Sequence, residues 1–133
     1  MTMADLILEN DGYSGGTTAI DAAFASVPWL NFDGDRLVAR QSAAIASATR
    51  CPVLLASSFK EYENMAVQLA TEESGRKQLQ EIRDCLISHR YNDLENPLFN
   101  STNFVSSLEK AVLKAWEVYD KKLEPTDIDV SHG

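Results

Sequence analysis

Asp5-Leu6-Ile7-Leu8-Glu9, Asn10-Asp11-Gly12-Tyr13-Ser14-Gly15-Gly16-Thr17-Thr18, Ala19-Ile20-Asp21-Ala22-Ala23-Phe24-Ala25-Ser26 and Val27-Pro28-Trp29-Leu30-Asn31-Phe32 follow one another without a break. The first block is an apolar, β-type run closed by the turn-forming Asn10-Asp11-Gly12, which predicts a buried strand and a loop. The Ala-rich block has high helix propensity, and Thr17 or Thr18 is the expected N-cap. The last block is a second β-type segment, with Pro28 near its beginning, where a missing N–H matters least.

Working outward, Asp33-Gly34-Asp35 is a turn, and from about Arg36 the pattern LVARQSAAIASA is helical again. Pro52 then introduces a third apolar run, Val53-Leu54-Leu55-Ala56. Strand, helix, strand, helix, strand in that order predict parallel strands joined by right-handed crossover helices. Ser57 or Ser58 caps a following helix with Phe59, Tyr62, Ala66 and Leu69 on one face, and Glu61 completes a capping box with Ser58. Gly75 is read as the separator from a second helix with Leu79, Ile82 and Leu86 inward. After His89-Arg90-Tyr91 a polar stretch runs to Asn96-Pro97-Leu98-Phe99-Asn100, and a last helix extends from Ser101 or Thr102 to Lys122. Its stripe of Phe104, Leu108, Val112, Trp116 and Tyr119 is expected to pack, with Glu109, Lys110, Lys114, Glu117, Lys121 and Lys122 on other faces. Glu124-Pro125 ends it. The fold class is therefore α/β, a short parallel sheet followed by C-terminal helices, with one domain over residues 1–123 and a flexible acidic tail over 124–133.

Composition bounds the partners. A chain of 133 residues that is 44% hydrophobic and 24% charged fits one globular domain and excludes fibrous and wholly disordered classes. Twenty acidic against 12 basic residues give a net charge of -8, so the basic surface needed for nucleic acid or an anionic membrane is missing. No apolar run approaches a bilayer span, and MTMADLILEN lacks the basic start and long apolar middle of a signal peptide. The expected setting is intracellular, cytoplasmic or nuclear. Cys51 and Cys85 form no CxxC or Cys/His grouping, so neither a disulfide framework nor a zinc site is indicated, and both are read as small buried side chains. His89 and His132 do not cluster with carboxylates at ligand spacing, and no metal is expected. Asn100-Ser101-Thr102 has the form of a glycosylation sequon and is read as a helix start.

One segment has an obvious binding mechanism. In Gly12-Tyr13-Ser14-Gly15-Gly16-Thr17-Thr18 the glycines let the backbone approach a ligand, the first-turn amides of the next helix point outward, and the helix dipole favours an anion. Gly15, Gly16, Thr17 and Thr18 are the candidate diphosphate contacts, and Asp21, one turn on, is placed to accept from a ribose hydroxyl. A plain structural turn is the competing reading, since neither GxGxxG nor the Gly-Lys-Ser/Thr of a phosphate loop is present.

The order Asp-Leu-Ile-Leu-Glu, Gly15 to Asp21, Val27-Pro28 and Gly34-Asp35-Arg36-Leu37-Val38-Ala39-Arg40 resembles the C-terminal half of the protein O-linked N-acetylglucosamine (O-GlcNAc) transferases and their SPINDLY relatives. Glu61-Tyr62-Glu63, Ala66 to Ala70, Asn96 to Asn100 and Phe104 to Tyr119 resemble the closing segments of the same family. The resemblance covers about Asp5 to Tyr119. It implies part of the second lobe of a two-lobed (GT-B) glycosyltransferase, a partial Rossmann-like, three-layer fold that binds a UDP-sugar, UDP-N-acetylglucosamine (UDP-GlcNAc) in the transferases. In that family the segment matching Gly16-Thr17-Thr18 meets the donor diphosphate and the position matching Asp21 holds the ribose. Animal members often carry His where this chain has Gly16, and many bacterial-type members carry Gly. The tetratricopeptide repeats, the first catalytic lobe and the earlier diphosphate contacts of the family have no counterpart here. Inverting transfer requires an acceptor hydroxyl in line with the anomeric carbon and a stabilised UDP leaving group, and these residues supply part of the second requirement. No catalytic residue is assigned, and the chain alone is expected to be silent. Its partners are UDP or a UDP-sugar and a missing lobe or protein acceptor, with self-association expected at an unpaired sheet edge.

The remaining conspicuous residues have structural readings. Trp116 and Tyr119 are read as core or lobe-contact packing, with the stripe expected to be partly uncovered in the isolated chain, His89-Arg90 as helix-end chemistry, Arg40 as a structural ion pair, and Glu61, Glu63, Glu72 and Glu73 as a solvated face. The alternative function is a non-catalytic interaction module that kept the scaffold.

Overall fold

A computed structural model describes residues 3–90 and 97–130. Readings that fall on Tyr91 to Asn96 and on His132 lie outside the described residues. The chain divides into two units, Met1–Phe99 and Asn100–Gly133.

The first unit contains β1 (Ile7–Leu8), α1 (Gly16–Ala25), β2 (Trp29–Phe32), α2 (Leu37–Ala48), β3 (Leu54–Ala56), α3 (Phe59–Thr71), α4 (Glu73–His89) and a short 3-10 turn at Pro97–Phe99. The strands form a parallel sheet in the order β1-β2-β3, with Ile7 opposite Trp29 and Leu30 opposite Leu54. The alternation read from the sequence is thus the alternation of the fold, a partial Rossmann-like arrangement. β1 departs from expectation. It is two residues long and lies at a sheet edge, so Ile7 is half-buried and Leu8 exposed.

β2 shows how the layers are assigned. Successive strand side chains point to opposite faces. Trp29 Nε1 donates to the Ser42 carbonyl of α2, whereas Phe32 stacks on Phe59 and meets Tyr62 edge-on, both from α3. α2 and α3 therefore cover opposite faces, which gives three layers. The core runs from Ala19, Ala22 and Ala23 of α1 through Trp29, Leu30 and Leu54 to Leu69, Leu79, Ile82 and Leu86. Each large apolar side chain so enclosed contributes about 1.5–3 kcal/mol. The three inward positions expected of α4 are all buried. On α3 only Leu69 is fully buried, and Phe59 lies largely in solvent against Phe32.

Gly75 is no separator. The break between α3 and α4 falls at Glu72, and Gly75 sits in the first turn of α4. A Cβ there would stand 2.3 Å from the Gln68 carbonyl oxygen and 2.6 Å from Leu69 Cα. The residue is small because two helices meet backbone to backbone. The capping box at α3 is also rearranged. Ser58 Oγ accepts the Glu61 amide at 3.2 Å, but Glu61 reaches back to Ser57, accepting from its amide at 2.8 Å and its hydroxyl at 2.6 Å. Those two bonds, the hydroxyl's foremost, hold the Glu61 carboxyl below its ordinary pKa.

The cysteines correct the sequence reading. Cys51 and Cys85 are joined as a disulfide, with Cα atoms 5.9 Å apart, a pairing hidden in sequence because 34 residues separate them and only the folded chain juxtaposes them. Arg40 meets Asp33 at 3.2 Å on an exposed surface, an ion pair worth little energy.

The second unit contains α5 (Ser101–Asp120), capped by Asn100, whose side-chain oxygen accepts the Asn103 amide at 2.8 Å. Asn100 is a helix start, as the sequence suggested. Phe104, Leu108, Val112, Trp116 and Tyr119 are all more than half exposed, although Trp116 and Tyr119 meet each other at 5.5 Å between centroids. The helix ends before Glu124-Pro125, through Lys121 and a left-handed Lys122. Lys114 Nζ donates to the Asp129 carbonyl at 2.6 Å. Among the described residues no helix is long and apolar enough to cross a membrane.

Candidate functional site

The loop after β1 is fixed from both sides. Ser14 is buried. Its amide and hydroxyl both donate to the Val38 carbonyl, at 3.0 and 2.9 Å, and its oxygen accepts the Ser42 amide at 3.0 Å. Those bonds tie the residue preceding the glycine pair to α2. On the other side, the Glu9 carbonyl accepts the Tyr62 hydroxyl at 2.6 Å. Burial, with the Glu9 charge adding to it, pushes the Tyr62 phenol above its ordinary pKa.

α1 begins at Gly16, two residues earlier than a Thr17 cap would allow. Gly15 is the N-cap, with extended backbone and no side chain to cap the helix, and Thr17 and Thr18 lie inside the first turn. The Glu9 carboxylate anchors this start, its Oε2 accepting the N-cap residue's own amide, that of Gly15, at 2.7 Å. The amides of Gly16, Thr17 and Thr18 have no acceptor among the described residues, as first-turn amides of a helix must unless a cap or ligand meets them. Gly16 is close to α2. A Cβ on it would stand 2.9 Å from Gln41 Nε2, so the lack of a side chain admits the Gln41 amide group beside the helix start. Thr17, Thr18 and Asp21 are exposed, and no acidic residue lies in the first turn.

The structure thus brings Gly15, Gly16, Thr17 and Thr18 together at one helix end, with Asp21 one turn along the same helix. Two surface cavities lie beyond the C-terminal ends of the strands, where open α/β sheets commonly take ligands. One, of about 200 Å³, is lined by Glu9, Asn10, Asp11, Phe32, Phe59 and Tyr62. The other, of about 440 Å³, is lined by residues of the Asp33–Arg36 turn together with Asp11, Gly12, Ser57 and Phe59. Neither is lined by Gly15 to Asp21. Sequence reasoning missed Glu9 and Ser14, whose roles depend on tertiary contacts; the only local signal was their position flanking a turn.

His89 lies in the last turn of α4 and Arg90 is its C-cap, as read from the sequence, and both also have tertiary partners. His89 Nδ1 lies 3.5 Å from Cys51 Sγ and 3.7 Å from Cys85 Sγ. Arg90 donates to Ser26 Oγ and lies over the Phe24 ring at 5.3 Å. Glu63 pairs with Lys60 at 3.1 Å, and Glu72 accepts from Ser74 at 3.2 Å, both on exposed surface.

Residues 1–108 match the family model described as glycosyl transferase family 41. The protein named "Probable UDP-N-acetylglucosamine--peptide N-acetylglucosaminyltransferase SEC" of Arabidopsis thaliana is 29% identical over 129 residues, which cover 96% of this chain and 13% of that protein. The protein named "Probable UDP-N-acetylglucosamine--peptide N-acetylglucosaminyltransferase SPINDLY" of Oryza sativa subsp. japonica is 26% identical over 118 residues, 89% of this chain and 12% of that one. The chain spans about an eighth of the length of these relatives.

Proposed function

The chain belongs to glycosyl transferase family 41, and from that premise we propose that it is the nucleotide-sugar-binding portion of a protein O-GlcNAc transferase-like enzyme. Its donor is UDP-GlcNAc. Gly15, Gly16, Thr17 and Thr18 receive the diphosphate at the start of α1, and Asp21 accepts from the ribose. The observation that carries this reading is the α1 N-terminus, where three amides without an acceptor face outward at the positive end of a helix dipole. Donor binding requires no metal on this reading. The chain is inactive alone, works inside the cell, and depends on a further catalytic lobe to place the protein acceptor.

The exposed apolar stripe of α5 supports a second reading, a non-catalytic interaction module. Calorimetric titration with UDP separates the two. Saturable binding that Asp21→Ala abolishes and an unrelated nucleotide diphosphate does not reproduce supports the donor half-site. No binding at millimolar UDP removes it and leaves the module.

A further inference from the structure

The disulfide has a third neighbour that a structural crosslink does not need. His89 Nδ1 lies 3.5 Å from Cys51 Sγ and 3.7 Å from Cys85 Sγ, and the three atoms are the one cysteine, histidine and carboxylate cluster of metal-binding size among the described residues. Cys85 and His89 are four residues apart on α4, which puts them on one face of the helix. Cys51 comes from the turn before β3, at the edge of the parallel sheet opposite to the loop that leads into α1. The group is therefore remote from the proposed donor contacts and independent of them.

Zinc bound tetrahedrally at about 2.3 Å from sulfur and about 2.0–2.1 Å from imidazole nitrogen requires sulfur-to-nitrogen separations of about 3.6 Å. Both observed separations already have that length. The remaining requirement is that the sulfurs, once reduced, part to about 3.8 Å. Rotation of the two cysteine side chains provides this between Cα atoms 5.9 Å apart. Cys51 is buried, while Cys85 and His89 are half-buried, so a water can complete the coordination from the open side.

We infer that Cys51, Cys85 and His89 form a zinc site when the disulfide is reduced, so that the turn before β3 and the end of α4 are held together by a covalent bond under oxidising conditions and by a metal ion under reducing ones. The exchange balances with a dithiol reductant. The dithiol gives two electrons and two protons to the Cys51–Cys85 bond, becoming a disulfide itself and leaving two thiols. Zinc then displaces one proton from each thiol, and two thiolates neutralise its charge. Nδ1 must be unprotonated to bind. In the disulfide form it lies 3.3 Å from the Thr49 carbonyl, so binding breaks that contact and leaves the ring proton on Nε2.

The test uses the full chain, reduced with a phosphine, freed of metal and titrated anaerobically with Co²⁺. The expected result is the intense d–d absorption of tetrahedral thiolate-bound cobalt, saturating at one equivalent and displaced by Zn²⁺. The oxidised chain shows none of it. His89→Ala keeps both thiols and weakens cobalt binding at least about tenfold, since disturbing even an outer partner of a ligand costs that much. Circular dichroism of the variant checks that it is folded, and Cys85→Ser serves as a second ligand deletion with the same expected loss. A pale octahedral spectrum, equal binding by the reduced and oxidised chains, or unaltered affinity in both folded variants overturns the proposal.

Discussion

Glu9 Oε2 accepts the Gly15 amide at 2.7 Å, so a carboxylate from the end of β1 stands at the start of α1, where the proposed ligand is itself an anion. The same negative charge that completes the helix end in the free chain opposes a diphosphate on the neighbouring amides. Glu9 therefore acts in two directions, and substitution separates them.

In Glu9→Gln the amide oxygen can still accept from Gly15 while the charge is gone. Loss of the favourable charge and dipole interaction lowers stability by about 0.3–1 kcal/mol. UDP binding tightens by about two- to fivefold, the same energy expressed as an affinity. Urea unfolding and calorimetric titration of one preparation measure both. Weaker UDP binding in the variant places the diphosphate away from this helix end.

At Gly75 the relevant contact is with backbone, which cannot turn aside as a side chain does. Gly75→Ala places a methyl group 2.3 Å from the Gln68 carbonyl oxygen, and the forced separation of α3 and α4 costs about 1–3 kcal/mol. Gly12→Ala is the control, because a Cβ there meets nothing within 4 Å and no glycine among the described residues has positive φ. Its effect stays within about 0.5 kcal/mol. Shifts of the urea midpoint compare the two.

The Glu61 carboxyl is held below its ordinary pKa by the Ser57 hydroxyl and amide. A depressed folded pKa means that the associated stability is complete above the ordinary glutamate pKa and disappears as pH falls through the lower folded value. Ser57→Ala removes the larger cause and moves the Glu61 midpoint upward in a carbon-13 carboxyl titration by NMR. An unchanged midpoint shows that the hydroxyl is not responsible.

What the sequence made legible was what local pattern controls. The strand and helix alternation, the inward Leu79, Ile82 and Leu86, and the Asn100 helix start all follow from spacing and from side chains acting within a few residues of themselves. The misreadings share one origin. Thr17 and Thr18 are not caps because α1 already starts at Gly16, behind a Gly15 whose amide is held by Glu9 across the turn. Gly75 is a packing glycine because a second helix lies against it. Cys51 and Cys85 meet only once β3 and α4 are folded. The α5 stripe was readable as amphipathic, yet periodicity identifies an apolar face without identifying what covers it. Of the candidate site, grouping at one helix end was legible, and the carboxylate that shares that end was not.

β2 is only four residues long, and its alternate side chains serve different layers, Trp29 toward α2 and Phe32 toward α3. A strand of period two keeps such an assignment only while its residue count is fixed. One residue inserted between Leu30 and Asn31 would leave Trp29 in place and turn Phe32 toward the wrong helix. Length variation in descendants of this sequence therefore belongs in turns with open space, such as the one at Gly12, and is barred from the central strand even where the inserted residue is apolar.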